Sequence, residues 1–167
     1  MYIDKKKMKK FQSDVYSNFT YAVIDGIKYV AKYGNIYFVE KDSLKKDYTK
    51  LNEVKDKKGV YIFTEIDIQE ERVIYVGESH DTSNGWDLYH RLQQHFRITQ
   101  KSCLLFKVSN VNSKNEKETV AFLKDINIYY VDLSDRSAYN IKAIESFLID
   151  YYKPKYNKLY DLGIDRY

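Results

Sequence analysis

Two short apolar runs, residues 59–63 and 73–77, constrain the fold of this chain more than any other feature of its sequence. Both runs are rich in β-branched and aromatic residues, which is typical of strands. Because fewer than a dozen residues separate them, they predict a β-hairpin. The first run begins with Gly-Val-Tyr and the second ends with Tyr-Val-Gly, so this hairpin would bring Tyr61 and Tyr75 close together.

Length, composition and cysteine content predict one domain of ordinary size with at most one appendage. The chain has 167 residues, and 44% of them are hydrophobic, which is enough for a real core. No apolar run approaches the ~20 residues that cross a bilayer, and the first residues lack the apolar stretch of a signal peptide. A single cysteine, Cys103, excludes an internal disulfide and a cysteine-based zinc cluster. We therefore expect a soluble cytoplasmic protein that has no membrane partner.

The net charge of +4 is unevenly distributed along the chain. Residues 1–58 carry 14 Lys or Arg and 8 Asp or Glu, whereas residues 59–167 carry 14 and 16. A basic leading segment favours a partner that bears phosphates. A solvated lysine surface has the same composition, so charge alone leaves both interpretations open.

The sequence pattern divides the chain near residue 58 into a basic N-terminal extension, residues 1–58, and a second domain, residues 59–167. The start of the extension is interpreted as a loose arm or short helix, and its end as a charged connector with some helix. Between them, two turn signals that contain glycine separate three alternating segments, which predicts a three-stranded meander. The strands of this meander would be residues 20–24, 27–32 and 36–40.

The second domain predicts an α+β fold, with a small mixed or antiparallel central sheet flanked by helices. The predicted strands are residues 59–66, 72–77, 103–108 and 126–133. The predicted helices are residues 86–97, 115–124 and 136–152, and a polar loop spans residues 78–85. Ser134 or Asp135 would cap the last helix, and Pro154 would end it.

Glu145 lies on the apolar stripe of the last predicted helix. That stripe consists of Ile141, Ile144, Leu148, Tyr151 and Tyr152. A lone carboxylate facing the core is costly unless it is paired or bound to a cation. Glu145 is therefore a candidate ligand of Mg²⁺, which proteins hold with one or two carboxylates plus waters and substrate phosphate. The alternative is a side chain that reaches solvent or pairs with a basic group.

Arg91 and His95 are four residues apart, so both would project from one edge of the predicted helix 86–97. An arginine can bind a phosphate through two hydrogen bonds while a histidine moves a proton. The alternative is a surface Arg–His pair that has no functional role. A tyrosine is a poor base unless nearby cations favour its phenolate, and Arg91, His95 and a metal at Glu145 could supply that bias to Tyr61.

The order of these residues along the chain resembles the GIY-YIG nuclease family, whose members cut the phosphodiester backbone of nucleic acids. The resemblance covers residues 59–157. Residues 128–157, which end in Lys-Tyr-Asn, look like the end of the nuclease domain in bacterial excision-repair proteins. The spacing of Arg91 and His95, and the step from Glu145 to Asn157, look more like the GIY-YIG restriction endonucleases.

The resemblance implies a role for each residue of the metal and proton-transfer site. Glu145 would coordinate a single divalent ion, Mg²⁺ or Mn²⁺. Tyr61 would be the general base, or a relay, that activates the attacking water, and Tyr75 and His95 would assist it. The sequence leaves open whether Tyr61 or His95 is the base proper.

The resemblance also implies the substrate contacts and the overall function. Arg91 would hold the scissile phosphate, and Asn157 would order the site through hydrogen bonds. We expect a restriction-like endonuclease that acts on double-stranded DNA without an organic cofactor. Cutting both strands with one site per chain would most simply need a homodimer. The meander and the loop 78–85 would then read DNA.

One departure from the family pattern keeps other functions open. Glu78 follows the second tripeptide, where many family members carry a basic residue. An acid there could repel phosphate or could face solvent. The alternatives are a nuclease that acts on RNA or on branched, repair-type DNA, and a nucleic-acid-binding module that has lost turnover.

Overall fold

A four-stranded antiparallel sheet lies at the centre of the fold. The computed structural model describes residues 26–68, 70–112 and 115–157. The strands within these ranges are β1 (Ile27–Lys32), β2 (Tyr37–Glu40), β3 (Ser43–Lys46), β4 (Gly59–Asp67), β5 (Glu70–Ser79) and β6 (Asn127–Asp132). The central sheet has the order β1-β6-β4-β5, and β2 pairs with β3 in a separate two-stranded sheet. Every pair is antiparallel, so the predicted α+β class with an antiparallel sheet is confirmed.

Helices pack on both faces of this sheet. They are α1 (Leu88–Gln94), α2 (Leu104–Asn112), α3 (Glu116–Leu123) and α4 (Ala138–Tyr152). Short 3₁₀ helices cover Tyr33–Ile36, Tyr48–Val54 and Ser83–Gly85. Within the described ranges, none of the helices is long and apolar enough to span a membrane.

Side-chain caps set the starts of three helices. The carboxylate of Asp87 accepts from the backbone N–H of His90 at the start of α1, and Asn115 forms a capping box with Glu118 at the start of α3. Ser137 caps α4, two or three residues later than predicted. These caps satisfy backbone N–H groups that the first helical turn leaves without partners.

The β4–β5 hairpin fixes the positions of the two predicted tyrosines. Its register sets Tyr61 opposite Gly77 and Phe63 opposite Tyr75. Because side chains alternate along a strand, Tyr61 and Phe63 lie on the same face of the sheet. β5 is an edge strand, so the hairpin lies at one edge of the central sheet.

The two faces of the sheet pack into separate hydrophobic cores. The larger core holds the tyrosine face and side chains of the first three helices, including Tyr61, Phe63, Leu92, Leu104 and Leu123. The smaller core holds the opposite face and α4, including Val60, Ile62, Val76, Ile144 and Leu148. The near-continuous apolar sequence of β4 follows from this arrangement, since both of its faces are covered.

The predicted N-terminal meander is wrong. β1 pairs with β6, not with β2, so residues from both predicted segments share one sheet. The expected turn near residue 34 is a 3₁₀ helix, in which the N–H of Tyr33 donates to the carbonyl of Ile126 at 2.7 Å. The N–H of Gly34 donates to the carbonyl of Lys124 at 3.0 Å. These bonds join distant parts of the chain, and local sequence patterns do not predict such bonds. The predicted strand 20–24 lies outside the described residues.

The predicted strand 103–108 is also wrong, because this segment begins helix α2. Its buried residues are Cys103, Leu104, Leu105 and Val108, which is a helical spacing. A short apolar run does not distinguish a buried strand from a buried helix. The helix predicted at 86–97 is shorter in the structure, and β3 and a 3₁₀ helix occupy much of the expected connector 41–58. The strands predicted at 59–66, 72–77 and 126–133 and the helices at 115–124 and 136–152 are confirmed within a few residues.

Candidate active site

Tyr61 lies fully buried at the centre of the candidate site. Its hydroxyl oxygen is 2.7 Å from Nε2 of His95, and the two rings meet edge to face with 5.1 Å between their centroids. Gly77 leaves the space that this ring occupies, because a Cβ atom at position 77 would overlap the hydroxyl end of Tyr61. The glycine of the second tripeptide therefore has a steric role in the site.

His95 is a buried imidazole that follows the last turn of α1. The backbone N–H of Leu104 lies 3.0 Å from its Nδ1. A backbone amide can only donate, so Nδ1 accepts and the proton on Nε2 is donated to the oxygen of Tyr61. Burial, followed by the positive charges of Arg91 and Lys107, holds the pKa of His95 well below its usual range. His95 is therefore neutral, with both ring nitrogens engaged.

Tyr75 lies between this buried pair and the surface. It is 8% exposed, whereas Tyr61 is 0% exposed. Its ring centroid is 4.8 Å from that of His95 and 6.3 Å from that of Tyr61. Burial raises the pKa of Tyr75 and the charge of Glu145 adds to this rise, while Arg91 and a hydrogen bond with Tyr61 lower it. His95, Tyr61 and Tyr75 thus form a chain of polar groups that leads outward from the core.

Without a bound metal, the surroundings of Tyr61 favour its protonated phenol over the phenolate. Burial raises the pKa of Tyr61 well above its usual range, and the charges of Tyr75 and Glu145 act in the same direction. Arg91 lowers this pKa as expected, but burial outweighs it. The second expected cation, His95, is neutral. Tyr61 is therefore a protonated phenol, which suits a relay better than a base that acts alone.

Arg91 lines a pocket of about 350 Å³. The other residues around this pocket are Glu78, Ser79, His80, Asp81 and Trp86. The guanidinium donates from Nε to the backbone carbonyl of Glu78 at 3.4 Å and from Nη1 to the side-chain oxygen of Gln94 at 2.9 Å. It also lies 5.7 Å from the centre of the Trp86 ring. These contacts use two of the five N–H groups of an arginine and hold it at the pocket.

Glu145 reaches the site from α4, on the opposite face of the sheet. It is partly buried on the helix side that also carries Ile141, Ile144 and Leu148. The predicted continuation of this stripe is wrong, because Tyr151 is 67% exposed and Tyr152 is 39% exposed. Burial raises the pKa of Glu145 to about 7, and the negative charge of Glu78 adds to the rise. The site therefore disfavours an unaccompanied negative charge at Glu145.

This donor set fits a divalent cation held jointly by protein and substrate. In the described part of the chain there is no cluster of three or more His, Cys, Asp or Glu side chains that could enclose a metal. Mg²⁺ does not need such a cage, since one or two carboxylates plus waters and substrate phosphate suffice. Glu145, with the charge of Glu78 close by, supplies carboxylate oxygen where a cation would relieve an electrostatic cost.

Asn157 supports the site through the backbone of β5. Its side-chain oxygen accepts from the N–H of Val76 at 2.8 Å, and its side-chain nitrogen donates to the carbonyl of Val76 at 2.7 Å. The backbone N–H of Tyr156 also donates to the carbonyl of Ile74 at 3.0 Å. Residues after α4 thereby pair with the edge strand on both sides of Tyr75.

Side chains from β4, β5, α4 and the α1 segment therefore meet in one place. Tyr61, Tyr75 and His95 are in direct contact. The charge of Arg91 acts on all three, and the charge of Glu145 acts on the two tyrosines. No family model, curated protein or solved structure matches this chain. The geometry of the site is thus the basis for any functional proposal.

Lys107 is the residue of this site that sequence reasoning missed. Its ammonium lies 4.8 Å from the centre of the Tyr75 ring and donates to the backbone carbonyl of Tyr156 at 3.0 Å. It adds a positive charge that acts on His95. The incorrect strand at 103–108 hid this residue, whereas a helical interpretation would have placed it one turn after Leu104.

Proposed function

We propose that this protein is a Mg²⁺-dependent DNA endonuclease of the GIY-YIG type, restriction-like and acting in the cytoplasm. The observation that carries the proposal is a tyrosine pair that is influenced by the charges of an arginine and a carboxylate, where the arginine also lines a pocket. Phosphodiester hydrolysis needs a bound phosphate, an activated water and neutralisation of the charge that develops. Arg91, the tyrosine pair and Glu145 can supply each of these functions.

Arg91 is the phosphate-binding group in this proposal. Its contacts with Glu78 and Gln94 fix the guanidinium and leave three N–H groups for a ligand. A guanidinium binds phosphate oxygens through parallel hydrogen bonds and keeps its charge at any physiological pH. It would hold the scissile phosphate and stabilise the extra negative charge of the transition state.

The hydrogen-bonding series of His95, Tyr61 and Tyr75, called the tyrosine chain from here on, is the proton-transfer group. His95 donates to Tyr61, and Tyr61 acts to lower the pKa of Tyr75 against the larger rise that burial causes. Successive donors of this kind stabilise a negative charge at the outer end of the chain. Tyr75, the more exposed of the two phenols, would meet the attacking water, while Tyr61 and His95 would orient and support it.

Glu145 would hold the single divalent ion, Mg²⁺ or Mn²⁺, together with waters and phosphate oxygens. When bound, such an ion supplies charge neutralisation at the phosphate and acidifies a coordinated water. Asn157 keeps the backbone beside Tyr75 in place, so that the proton-transfer and metal-binding groups hold their positions.

Cleavage of a DNA of mixed sequence, such as a whole phage genome, tests the proposed function. Wild-type protein should give discrete fragments with Mg²⁺ and none with a chelator. Glu145→Gln should lower the cleavage rate by at least about 100-fold. Asp150→Asn, an exposed carboxylate on the same helix, is the matched control and should cleave like the wild type. Failure of the wild type to cleave DNA under these conditions would overturn the proposal.

Glu78 is the observation that favours a second candidate, a binding module without turnover. Its side chain is only 14% exposed and lines the same pocket as Arg91. The negative charge of Glu78 at this place would repel a phosphate. Retained DNA binding without cleavage of duplex, single-stranded or branched DNA or of RNA would support this candidate. Cleavage of RNA or branched DNA alone would point to a nuclease with another substrate.

A further inference from the structure

We propose that His80, held by Glu78, is the general acid of this site and protonates the oxygen that leaves the scissile phosphate. The inference rests on the proposed nuclease function. It assigns a catalytic role to a histidine outside the tyrosine chain and to the acidic residue that departs from the family pattern.

The geometry of the Glu78–His80 pair is that of an oriented proton donor. Nδ1 of His80 lies 2.7 Å from Oε2 of Glu78, and the carboxylate is the more buried partner, with its side chain 14% exposed against 36% for His80. An ionised carboxylate can only accept, so Nδ1 carries the hydrogen of this bond. The carboxylate therefore fixes the ring and leaves Nε2 to exchange a proton.

The pair lies where a bound phosphate would be. His80 and Glu78 line the same pocket of about 350 Å³ as Arg91. Nε of Arg91 donates to the backbone carbonyl of Glu78. This bond holds the backbone of the pair next to the guanidinium that would bind phosphate. The hydroxyl of Ser79 donates to the carbonyl of Trp86, which holds the pair against the segment that precedes α1.

Neither of the other two histidines can take this role. His95 is 2% exposed, and both of its ring nitrogens are engaged in the core. His90 also pairs with a carboxylate, since its Nδ1 lies 2.6 Å from Oδ1 of Asp87, but it does not line the pocket. His90 is therefore a matched control for His80: the same kind of pair, on the same protein, away from the candidate site.

The proposed step balances without a further reactant. Tyr75 enters the step as a phenolate that has lost its proton to solvent, and it takes the proton of the attacking water as the water oxygen forms a bond to phosphorus. The bond from phosphorus to the leaving oxygen breaks, and its electron pair remains on that oxygen. The leaving oxygen takes the proton from Nε2 of His80 and departs as a hydroxyl group. His80, now neutral, regains a proton from solvent through its exposed edge.

A sulfur leaving group tests this assignment, because a thiolate departs without protonation. A short duplex with one cleavable phosphate would be prepared with oxygen or with sulfur at the leaving position, which end analysis of the wild-type products identifies. Single-turnover rate constants would be measured on both substrates for wild type, His80→Gln and His90→Gln. The readout is the ratio of the sulfur rate constant to the oxygen rate constant, which does not depend on the fraction of each variant that is folded.

His80→Gln should slow cleavage of the oxygen substrate by about 100-fold or more and raise the sulfur-to-oxygen ratio by a similar factor. His90→Gln should leave the ratio at the wild-type value. An unchanged ratio in His80→Gln, with wild type active, would overturn the role of His80 and leave the nuclease function standing. A wild type that cleaves neither substrate would overturn both.

Discussion

Gly77 shows how one missing side chain organises the site. The ring of Tyr61 crosses β5 directly over this residue, so any Cβ there would collide with the hydroxyl end of the ring. The alternatives for a larger residue are to displace Tyr61 from His95 or to separate the two strands. Position 77 therefore links the hairpin to the proton-transfer chain.

Gly77→Ala should destabilise the protein by about 1–3 kcal/mol through overpacking and should also lower its cleavage rate. Unfolding by urea and a DNA cleavage assay would measure the two effects. Gly26→Ala is the matched control, since its added methyl group would meet only Cγ1 of the Val131 side chain, at 3.1 Å. Equal behaviour of the two variants would show that Tyr61 does not depend on the space at position 77.

Glu145 should make stability depend on pH in a defined direction. Its pKa rises from 4.5 to about 7 on folding, so the folded protein holds this proton more tightly than the unfolded chain does. The contribution of Glu145 to stability is therefore greatest below pH 4.5 and is lost as the pH rises through about 7. Replacing the carboxyl with an amide removes this dependence.

In a chelator, the free energy of unfolding of wild type relative to Glu145→Gln should fall between pH 4.5 and pH 7. Urea unfolding at several pH values would measure the difference, and the subtraction cancels groups that both proteins share. Added Mg²⁺ at alkaline pH should stabilise the wild type more than the variant. A difference that stays constant with pH would contradict the burial of this carboxylate.

At the scale of elements, the segment after α4 acts as a clamp on an edge strand. Asn157 pairs with both backbone groups of Val76, which β5 would otherwise leave open at the sheet edge. The helix stops because Lys153 adopts a left-handed conformation, with φ of 46°, and Pro154 follows. This stop redirects the chain so that Asn157 reaches the strand.

Asn157→Ala should cost about 1–3 kcal/mol of stability, because two buried backbone groups lose their partner. Hydrogen exchange of the Val76 amide should accelerate in the variant, and urea unfolding would give the energy. Asn140→Ala, which removes an exposed amide on α4, should change neither quantity. Unaltered exchange at Val76 would mean that the clamp does not form in solution.

Local sequence patterns predicted the elements in which apolar residues recur with the period of a strand or of a helix. β4, β6 and α4 each show it over several residues, and their positions follow from it. The pairing of β1 with β6, and the bonds from Tyr33 to Ile126 and from Gly34 to Lys124, join residues ninety or more positions apart, for which no local signal exists. Helix α2 was missed because its first residues are an apolar run too short to reveal a period.

The same distinction applies to the site. The hairpin places Tyr61 near Tyr75, and its sequence predicted that proximity. The neutral state of His95 depends on the amide of Leu104, which the fold brings to its ring, and sequence gave no indication of it. The depth of burial that raises the pKa of Tyr61 is likewise a property of the packed core.

At the scale of the whole molecule, the described part of the chain carries one such site. In the proposed nuclease a single site would cut one strand at a time, so a break in both strands would require two copies of the chain or two binding events. We expect a homodimer on DNA, and the rate of double-strand breaks should rise more steeply than linearly with protein concentration. Plasmid nicking and sedimentation with a duplex would measure this, and a strictly monomeric protein that only nicks would contradict it.

The residues of the candidate site come from both faces of the central sheet. Tyr61 belongs to the core under α1 and α2 and contacts the ring of His95, whereas Glu145 comes from the helix that covers the other face. A substitution that repacks one core can shift Tyr61 while Glu145 stays in place, and a substitution in the other core can do the reverse. In the proposed nuclease, substitutions in one core would thus affect proton transfer or ion binding separately, and mutations that rescue a damaged site should cluster on the same side of the sheet as the damage.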